Sequence, residues 1–266
     1  MPNQANVAVP LLAASSKADL RSSDTPYVLS YFAQRRAAGY IGLALPVIVV
    51  FFDRFVSQYQ CVPDSISASY YTGARNFFVG SLCAVGIFLI SSVGYKRDIK
   101  YSIFAGVMAF LVAFDPCGSP PPGQNFCGMR ADLPYPYSGN VHFVSAILLF
   151  LTFAFFCLVL FTRSTDDPNG FAPRLKGLPE KKKQRNKVFI VCGVIMVAAM
   201  GSFVVAKMVD PELRHHELLI VEWICLWAFG VAWLVKGQQL LKDTVPVPPM
   251  RSTSHSGRSE LERAVK

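Results

Sequence analysis

Residues 141–162 read VHFVSAILLFLTFAFFCLVLFT, a block of 22 residues that contains no Lys, Arg, Asp or Glu. At 1.5 Å of rise per residue, a helix of this length is about 33 Å long, which matches the roughly 30 Å hydrocarbon core of a bilayer. The apolar residues follow one another as a block, without the alternation that is typical of a half-buried strand. The block therefore predicts a membrane-spanning helix.

Five further apolar blocks occur in the chain, three before this block and two after it. The chain as a whole is 52% hydrophobic and only 16% charged, whereas a soluble domain normally carries about 25% charged residues. The fold class that we predict is all-α, a polytopic transmembrane bundle of six helices. The predicted spans cover residues 38–54, 76–95, 101–115, 141–162, 188–206 and 218–235.

Polar segments bracket the apolar blocks and define three regions. Residues 1–37 are predicted to be a disordered N-terminus that ends in a short interfacial helix. Residues 38–236 form the six-helix transmembrane domain, and residues 237–266 are predicted to be a disordered tail, because Pro, Ser and Arg predominate there. The residues before the first apolar block lack the basic start of a signal peptide, so this block is expected to remain as the first span.

The Lys and Arg residues are distributed unequally between the two sides of the predicted bundle. Twenty-one of the 26 lie on the side that holds both termini, and five lie on the other side. Because Lys and Arg are enriched in cytoplasmic loops, both termini are predicted to be cytoplasmic. The same clustering between apolar blocks accounts for the net charge of +9 without a nucleic-acid partner, which a basic face with interleaved aromatics would indicate.

Three of the seven cysteines fall in the predicted outer loops, an oxidising compartment: Cys61, Cys117 and Cys127. Cys117 and Cys127 share one loop rich in Pro and Gly, and they are the candidate disulfide pair. Three is an odd number, so at least one of these thiols stays unpaired within the monomer.

Ionisable side chains inside a span are costly and are therefore candidates for function. Glu222 lies about five residues into the sixth predicted span, roughly 7 Å below the outer boundary. His142 opens the fourth span and Asp115 closes the third, both at the outer side. Each has a structural alternative: Glu222 as a hydrogen-bonded tie between helices, and Asp115 as a helix-end charge in the headgroup region. Asp53 is interpreted as such a helix-end charge.

Five of the six predicted spans bring a polar group to the same outer layer. In a single bundle these groups converge on one ligand-binding pocket, whose predicted members are Ser67, Ser69, Asp115, His142, Ser145 and Glu222. Asp115, His142 and Glu222 also have the side-chain types of a metal site or an acid/base pair, which makes them the catalytic candidates. No cofactor is expected, with zinc as the open alternative.

Several motifs carry a family resemblance: SISASYY (65–71) leading into RNFFVG (75–80), AFDP (113–116), HFVSA (142–146), Arg185-Asn186, and Glu222-Trp223 followed by WAFGVAWLVKG (227–237). Through them, the chain resembles a family of uncharacterised, mainly bacterial six-span membrane proteins over about residues 40–237. This resemblance implies six spans and a location in the bacterial inner (plasma) membrane, but it implies no activity.

Two more distant resemblances concern function. The six-span layout and the Ile-Ser loop are similar to those of the Frag1/DRAM/Sfk1 group, which implies a role in lipid handling or membrane organisation. The outer Ser, Asp and His resemble those of the zinc-binding ceramidase and adiponectin-receptor-like hydrolases. This chain lacks their paired histidines four residues apart on the last span, so the zinc chemistry does not carry over with that motif.

Three functions stay open from the sequence. The first is a non-catalytic protein whose outer polar pocket binds a lipid, a small molecule or a partner protein. The second is a metal-dependent hydrolase that acts on a lipid, and the third is a small proton-coupled transporter that uses Glu222. The first is preferred because the chain has no hydrolase or nucleotide-binding fingerprint and no span broken near its midpoint. Membrane lipids are the expected partners, with a partner protein or a homo-oligomer left open.

Overall fold

A computed structural model of the protein describes residues 31–57, 60–91, 99–118, 139–163, 180–210 and 216–241. Every regular element within these ranges is helical, which confirms the all-α prediction. The segments predicted to be disordered at the two ends fall mainly outside the described residues, as does most of the loop that holds Cys127.

The described helices follow the six apolar blocks of the sequence. They are α1 (Tyr31–Val56), α2 (Arg75–Ser91), α3 (Ile99–Phe114), α4 (Asn140–Phe155), α5 (Glu180–Val209) and α6 (His216–Lys236). A π-helical turn continues α4 over Phe156–Leu160, and a 3-10 helix, Ser67–Tyr71, precedes α2. The helix α1 runs unbroken from its first described residue, so residues 31–37 and the first predicted span lie on one helix.

Four of the described helices are long and apolar enough to cross a membrane: Tyr31–Val56, Asn140–Leu160, Glu180–Val209 and Glu217–Lys236. The two others, α2 and α3, are shorter apolar helices of 17 and 16 residues. Many large apolar side chains on the outward faces are exposed, as expected where lipid takes the place of water. These features indicate a membrane protein; the count of six spans and the cytoplasmic termini stay predictions.

The first and last helices cross at two facing glycines. A Cβ atom on Gly39 would lie 2.9 Å from the carbonyl oxygen of Gly230, and one on Gly230 would lie 2.8 Å from that of Gly39. Small residues permit such close approach, and close packing drives helix association in a lipid environment. The indole of Trp227 also donates a hydrogen bond to the carbonyl of Leu43, at 3.1 Å. The middle of α6 is thereby held against α1.

The α2–α3 pair uses the same kind of contact. A Cβ atom on Gly106 would lie 2.8 Å from the carbonyl oxygen of Gly86 and 2.5 Å from the side chain of Ile90. By contrast, a Cβ atom on Gly80, which lies on a different face of α2, would have no atom within 4 Å. The two glycines of α2 therefore differ, since one faces a helix and the other lies on an open surface.

Stacked aromatic rings fill the interior between α4 and α6. The ring of Phe229 lies 4.2 Å from that of Phe153 and 4.4 Å from that of Trp233, and Trp233 lies 4.9 Å from Phe161. All four side chains are buried. This cluster fixes α6 against α4 and places the aromatic core below the polar layer described next.

Candidate functional site

The helices α4 and α5 are in close contact toward one end of the bundle and diverge toward the other. At the close end, a Cβ atom on Gly193 would lie 2.5 Å from the side chain of Leu158, and the Asn186 amide donates a hydrogen bond to the carbonyl of Thr162 at 3.2 Å. Toward the other end, a Cβ atom on Gly201 would have no atom within 4 Å. A gap therefore opens between the two helices at the end where α4 begins and α5 ends.

A cavity of about 650 Å³ occupies this gap, and we call it the lateral groove. Its volume lies within the range of roughly 300–1,000 Å³ that is usual for small-molecule sites. Several wall residues, such as Phe143, Leu151 and Val204, are about half exposed, so the groove is open to the side. Its walls are apolar residues of α4, α5 and α6, among them Phe143, Ala146, Ile147, Phe150, Leu151, Val197, Met200, Phe203, Val204, Leu218 and Val221.

One end of the lateral groove is polar. The side chains that line it there are Asp64, Ser65, Ser67, Tyr71, Cys117, His142, Lys207 and Glu222. They come from the segment before α2, the residues after α3, the N-terminal parts of α4 and α6, and the C-terminal end of α5. The groove thus joins a long apolar surface to a compact polar one.

Glu222 ties α6 to the start of the 3-10 helix. Its Oε2 accepts hydrogen bonds from the backbone N–H groups of Ile66, at 2.5 Å, and Ser67, at 3.3 Å, while its Oε1 accepts one from the Ser67 hydroxyl at 2.8 Å. The first N–H groups of a helix have no partner within the helix and present partial positive charge. The carboxylate of Glu222 therefore stabilises the N-terminus of a helical segment that lies far away in the sequence.

Asp115 does the same for α4. Its Oδ2 accepts a hydrogen bond from the backbone N–H of His142 at 2.9 Å, in the first turn of that helix. The His142 ring bonds back through Nδ1 to the Asp115 carbonyl oxygen at 2.7 Å, and it stacks on the ring of Phe78 with centroids 6.5 Å apart. His142 is only 3% exposed, and its orientation is fixed by these three contacts.

Asp53 is a third carboxylate that is hydrogen-bonded near the start of a helix. Its Oδ2 accepts a hydrogen bond from the Thr72 hydroxyl at 2.8 Å, and the oxygen of that hydroxyl accepts one from the backbone N–H of Ala74 at 3.2 Å, just before α2. Asp53 is 1% exposed, so its interpretation as a helix-end charge in the headgroup region is wrong. The π-helical turn Phe52–Val56 contains this residue and holds it inside the bundle.

The structure brings together part of the predicted ligand-binding set. Ser67, His142 and Glu222 line the lateral groove, and Asp115 lies behind His142 as its hydrogen-bond partner. Ser69 and Ser145 are buried, at 0% and 3% exposed, and are not among the groove residues. A ligand-binding role stays a prediction for each of them.

Sequence reasoning missed the apolar walls of the groove and the contribution of Lys207. The walls belong to spans in which nearly every residue is apolar, so no pattern separates a residue that faces lipid from one that faces a groove. Lys207 was counted only as one of the few outer cations. Its place at the end of the fifth span, after an uncharged block, is the one signal that could have suggested a role at the mouth of a pocket.

The three catalytic candidates do not form a shared metal-ligand set. Within the described ranges, no group of three His, Cys, Asp or Glu residues is arranged to hold a metal ion. Asp115 and Glu222 each accept hydrogen bonds from backbone N–H groups instead. The zinc alternative and the catalytic roles of these residues stay predictions.

The predicted bridge between Cys117 and Cys127 is wrong. Cys61 is disulfide-bonded, whereas Cys117 is a free thiol. The Cys117 thiol is directed to the carbonyl oxygen of Ser67, at 3.4 Å, which orients it toward the 3-10 helix. Burial, and secondarily the nearby Glu222 carboxylate, raise the pKa of the Cys117 thiol to about 12. Cys127 lies outside the described residues.

Comparisons of this chain with protein-family models, with curated proteins and with solved structures found no match. The resemblances to the bacterial six-span family and to the Frag1/DRAM/Sfk1 group therefore stay predictions. Function has to be argued from the geometry of the groove.

Proposed function

We propose that this protein crosses the membrane six times, with both termini in the cytoplasm, and binds a membrane lipid in the lateral groove near the extracytoplasmic face. The observation that carries this proposal is the groove itself: about 650 Å³, apolar along its walls and polar at one end. A membrane lipid has the same division into apolar chains and a polar headgroup.

Two features support the six-span topology. The end of α3 meets the start of α4 through Asp115 and His142, and the end of α1 meets the segment before α2 through Asp53 and Thr72. These contacts are those expected if consecutive helices run in opposite directions and their polar ends lie in one layer. The excess of Lys and Arg at the other end supports its assignment to the cytoplasm.

The side opening of the groove favours a lipid over a water-soluble ligand. The residues at its rim are exposed apolar side chains, such as Phe143 and Val204, and in a bilayer these face the acyl chains of lipids. A lipid can enter from that direction without leaving the membrane. Lys207 and Asp64 both line the polar end of the groove.

Cross-linking with a photoreactive phospholipid tests the proposal. A diazirine on the acyl chain is expected to label peptides of α4 and α5 that line the groove. No specific observation in the structure favours the hydrolase or the transporter, so neither is proposed here. A partner protein or a second copy of the chain stays a prediction.

The topology is tested by two cysteine variants at opposite ends of α5. Asp210→Cys is expected to react with a membrane-impermeant maleimide on intact cells, whereas Lys181→Cys is expected to react only after permeabilisation, because the positive end faces the cytoplasm. Both positions are exposed. Native Cys117 contributes little background, since a thiol whose pKa is raised to about 12 is rarely a thiolate at neutral pH.

The unmodified protein, labelled in parallel, is the control for the native cysteines. The opposite pattern, with Lys181→Cys labelled from outside, would show that the orientation is inverted. Labelling of both variants on intact cells would show that α5 does not cross the membrane.

A further inference from the structure

The hydrogen bonds of His142 define which ring nitrogen carries the hydrogen. Nδ1 lies 2.7 Å from the carbonyl oxygen of Asp115. A carbonyl oxygen can only accept, so Nδ1 is the donor and carries the hydrogen. In the neutral imidazole, Nε2 is then a bare acceptor. The backbone bond to Asp115 and the stacking on Phe78 hold the ring in this orientation.

That acceptor is buried and has no hydrogen-bond partner among the described residues. Buried polar atoms in folded proteins are nearly always hydrogen-bonded, and each exception requires an explanation. The His142 ring lines the lateral groove and also an adjoining cavity of about 40 Å³. Because Nε2 itself is buried, a group that enters from the groove can supply the missing donor after a small shift of the neighbouring side chains.

The neighbouring side chain restricts the chemistry of that group. Glu222 lines the same two cavities, and its carboxylate adds further acceptor sites and negative charge. Three donors from Ile66 and Ser67 already bind it, whereas a carboxylate offers about four acceptor positions. A phosphate or carboxylate beside His142 would face this negative charge, and a methyl-capped group would leave Nε2 unpaired.

We infer that the lipid bound in the lateral groove carries a hydroxyl or a protonated amine at the level of His142 and donates a hydrogen bond to Nε2. This inference rests on the proposed lipid binding and adds the class of headgroup. A diacylglycerol hydroxyl and an ethanolamine headgroup share the required chemistry. Phosphatidylcholine, whose quaternary ammonium has no N–H, does not have it.

The test is competition against a photoreactive phosphatidylcholine that cross-links to the protein in nanodiscs. The competitors form two matched pairs: dioleoylglycerol with its O-methyl ether, and phosphatidylethanolamine with phosphatidylcholine. In the unmodified protein, at least one donor-bearing lipid is expected to compete about tenfold better than its capped partner. A tenfold difference in affinity corresponds to the free energy of about one hydrogen bond. The pair that shows the difference identifies the source of the donor.

His142→Phe keeps an aromatic ring on Phe78 and removes the acceptor. In this variant the two members of each pair are expected to compete within about twofold of each other. The capped lipids should compete as they do in the unmodified protein, which would show that the groove is intact. If His142→Phe does not fold, the comparison within each pair in the unmodified protein decides alone.

Equal competition by donor-bearing and capped lipids in the unmodified protein would overturn the inference and would leave a water molecule as the partner of Nε2. In that outcome lipid binding in the groove still stands. Absence of cross-linking that any lipid can compete away would instead refute the proposed function.

Discussion

Gly201→Trp is expected to lower lipid binding in the lateral groove by between ten- and a hundredfold. Gly201 lines the groove, and a side chain added there meets no atom within 4 Å, so the indole can fill space that the lipid would use. The bound lipid then loses packing contacts with the groove walls, and a ten- to hundredfold weaker binding corresponds to a loss of about 1.4 to 2.7 kcal/mol. The yield of cross-linked photoreactive phospholipid measures the change.

Gly80→Trp is the matched control. Gly80 is also an exposed glycine on a helix surface with no atom within 4 Å of an added Cβ, but it lies on α2, away from the groove residues. Its cross-linking yield should stay within about twofold of the unmodified protein, because surface changes of this kind have small effects. An equal decrease in both variants would mean that the label reports general lipid contact and that the groove is not a binding site.

Glu222→Leu is expected to lower the free energy of unfolding by about 4 kcal/mol. The change leaves the N–H groups of Ile66 and Ser67 without their acceptor, and it leaves the Ser67 hydroxyl with only the Ser65 hydroxyl as a partner. Each buried donor that loses its partner costs about 1–3 kcal/mol. Ile66 and Ser67 are 2% and 6% exposed, so water does not replace the carboxylate without local opening.

Two further variants make this result specific. Glu222→Gln keeps one acceptor oxygen, and we expect it to lose about half as much free energy as Glu222→Leu. Glu217→Gln, on the same helix, should stay within about 0.5 kcal/mol of the unmodified protein. Thermal unfolding in detergent and proteolysis of the segment around residues 60–74 measure the effect. Unchanged unfolding of Glu222→Leu would contradict the role of Glu222 as a tie between α6 and the 3-10 helix.

The helices could be predicted from the sequence because the bilayer leaves the backbone few choices. Without water to bond to, backbone groups in the hydrocarbon core must pair within the helix, so a block such as residues 141–162 predicts its own secondary structure. The approach of His142 and Glu222 could also be predicted, since both were placed near the same end of their spans. If consecutive helices alternate in direction, α4 and α6 begin at the same side of the bundle, so His142 and Glu222 lie at the same level.

The roles of the carboxylates depend on contacts between distant segments and could not be predicted. Nothing near Glu222 in the sequence indicates that its partners are Ile66 and Ser67. Asp53 was misread for a related reason, because the sequence shows that it ends an apolar block but does not show that Thr72 covers it. The thiol of Cys117 likewise bonds to a residue 50 positions away in the sequence, Ser67.

The lateral groove could not be predicted from the sequence for a different reason. Gly193 and Gly201 lie on the same apolar helix and look equivalent in the sequence, yet the first packs on Leu158 and the second lines the open groove. The difference arises from the divergence of α4 and α5, which is a property of the packed bundle. Lipid-facing and groove-facing positions have the same composition.

Mapping the sites labelled by a phospholipid with a diazirine on its acyl chain tests the central claim most directly. The lateral groove predicts that peptides containing residues 143–151 of α4 and 197–204 of α5 carry most of the label, and that an excess of unlabelled lipid removes it. Label spread evenly over the exposed apolar faces, including α2 and α3, and insensitive to competition would contradict a lipid site between these helices.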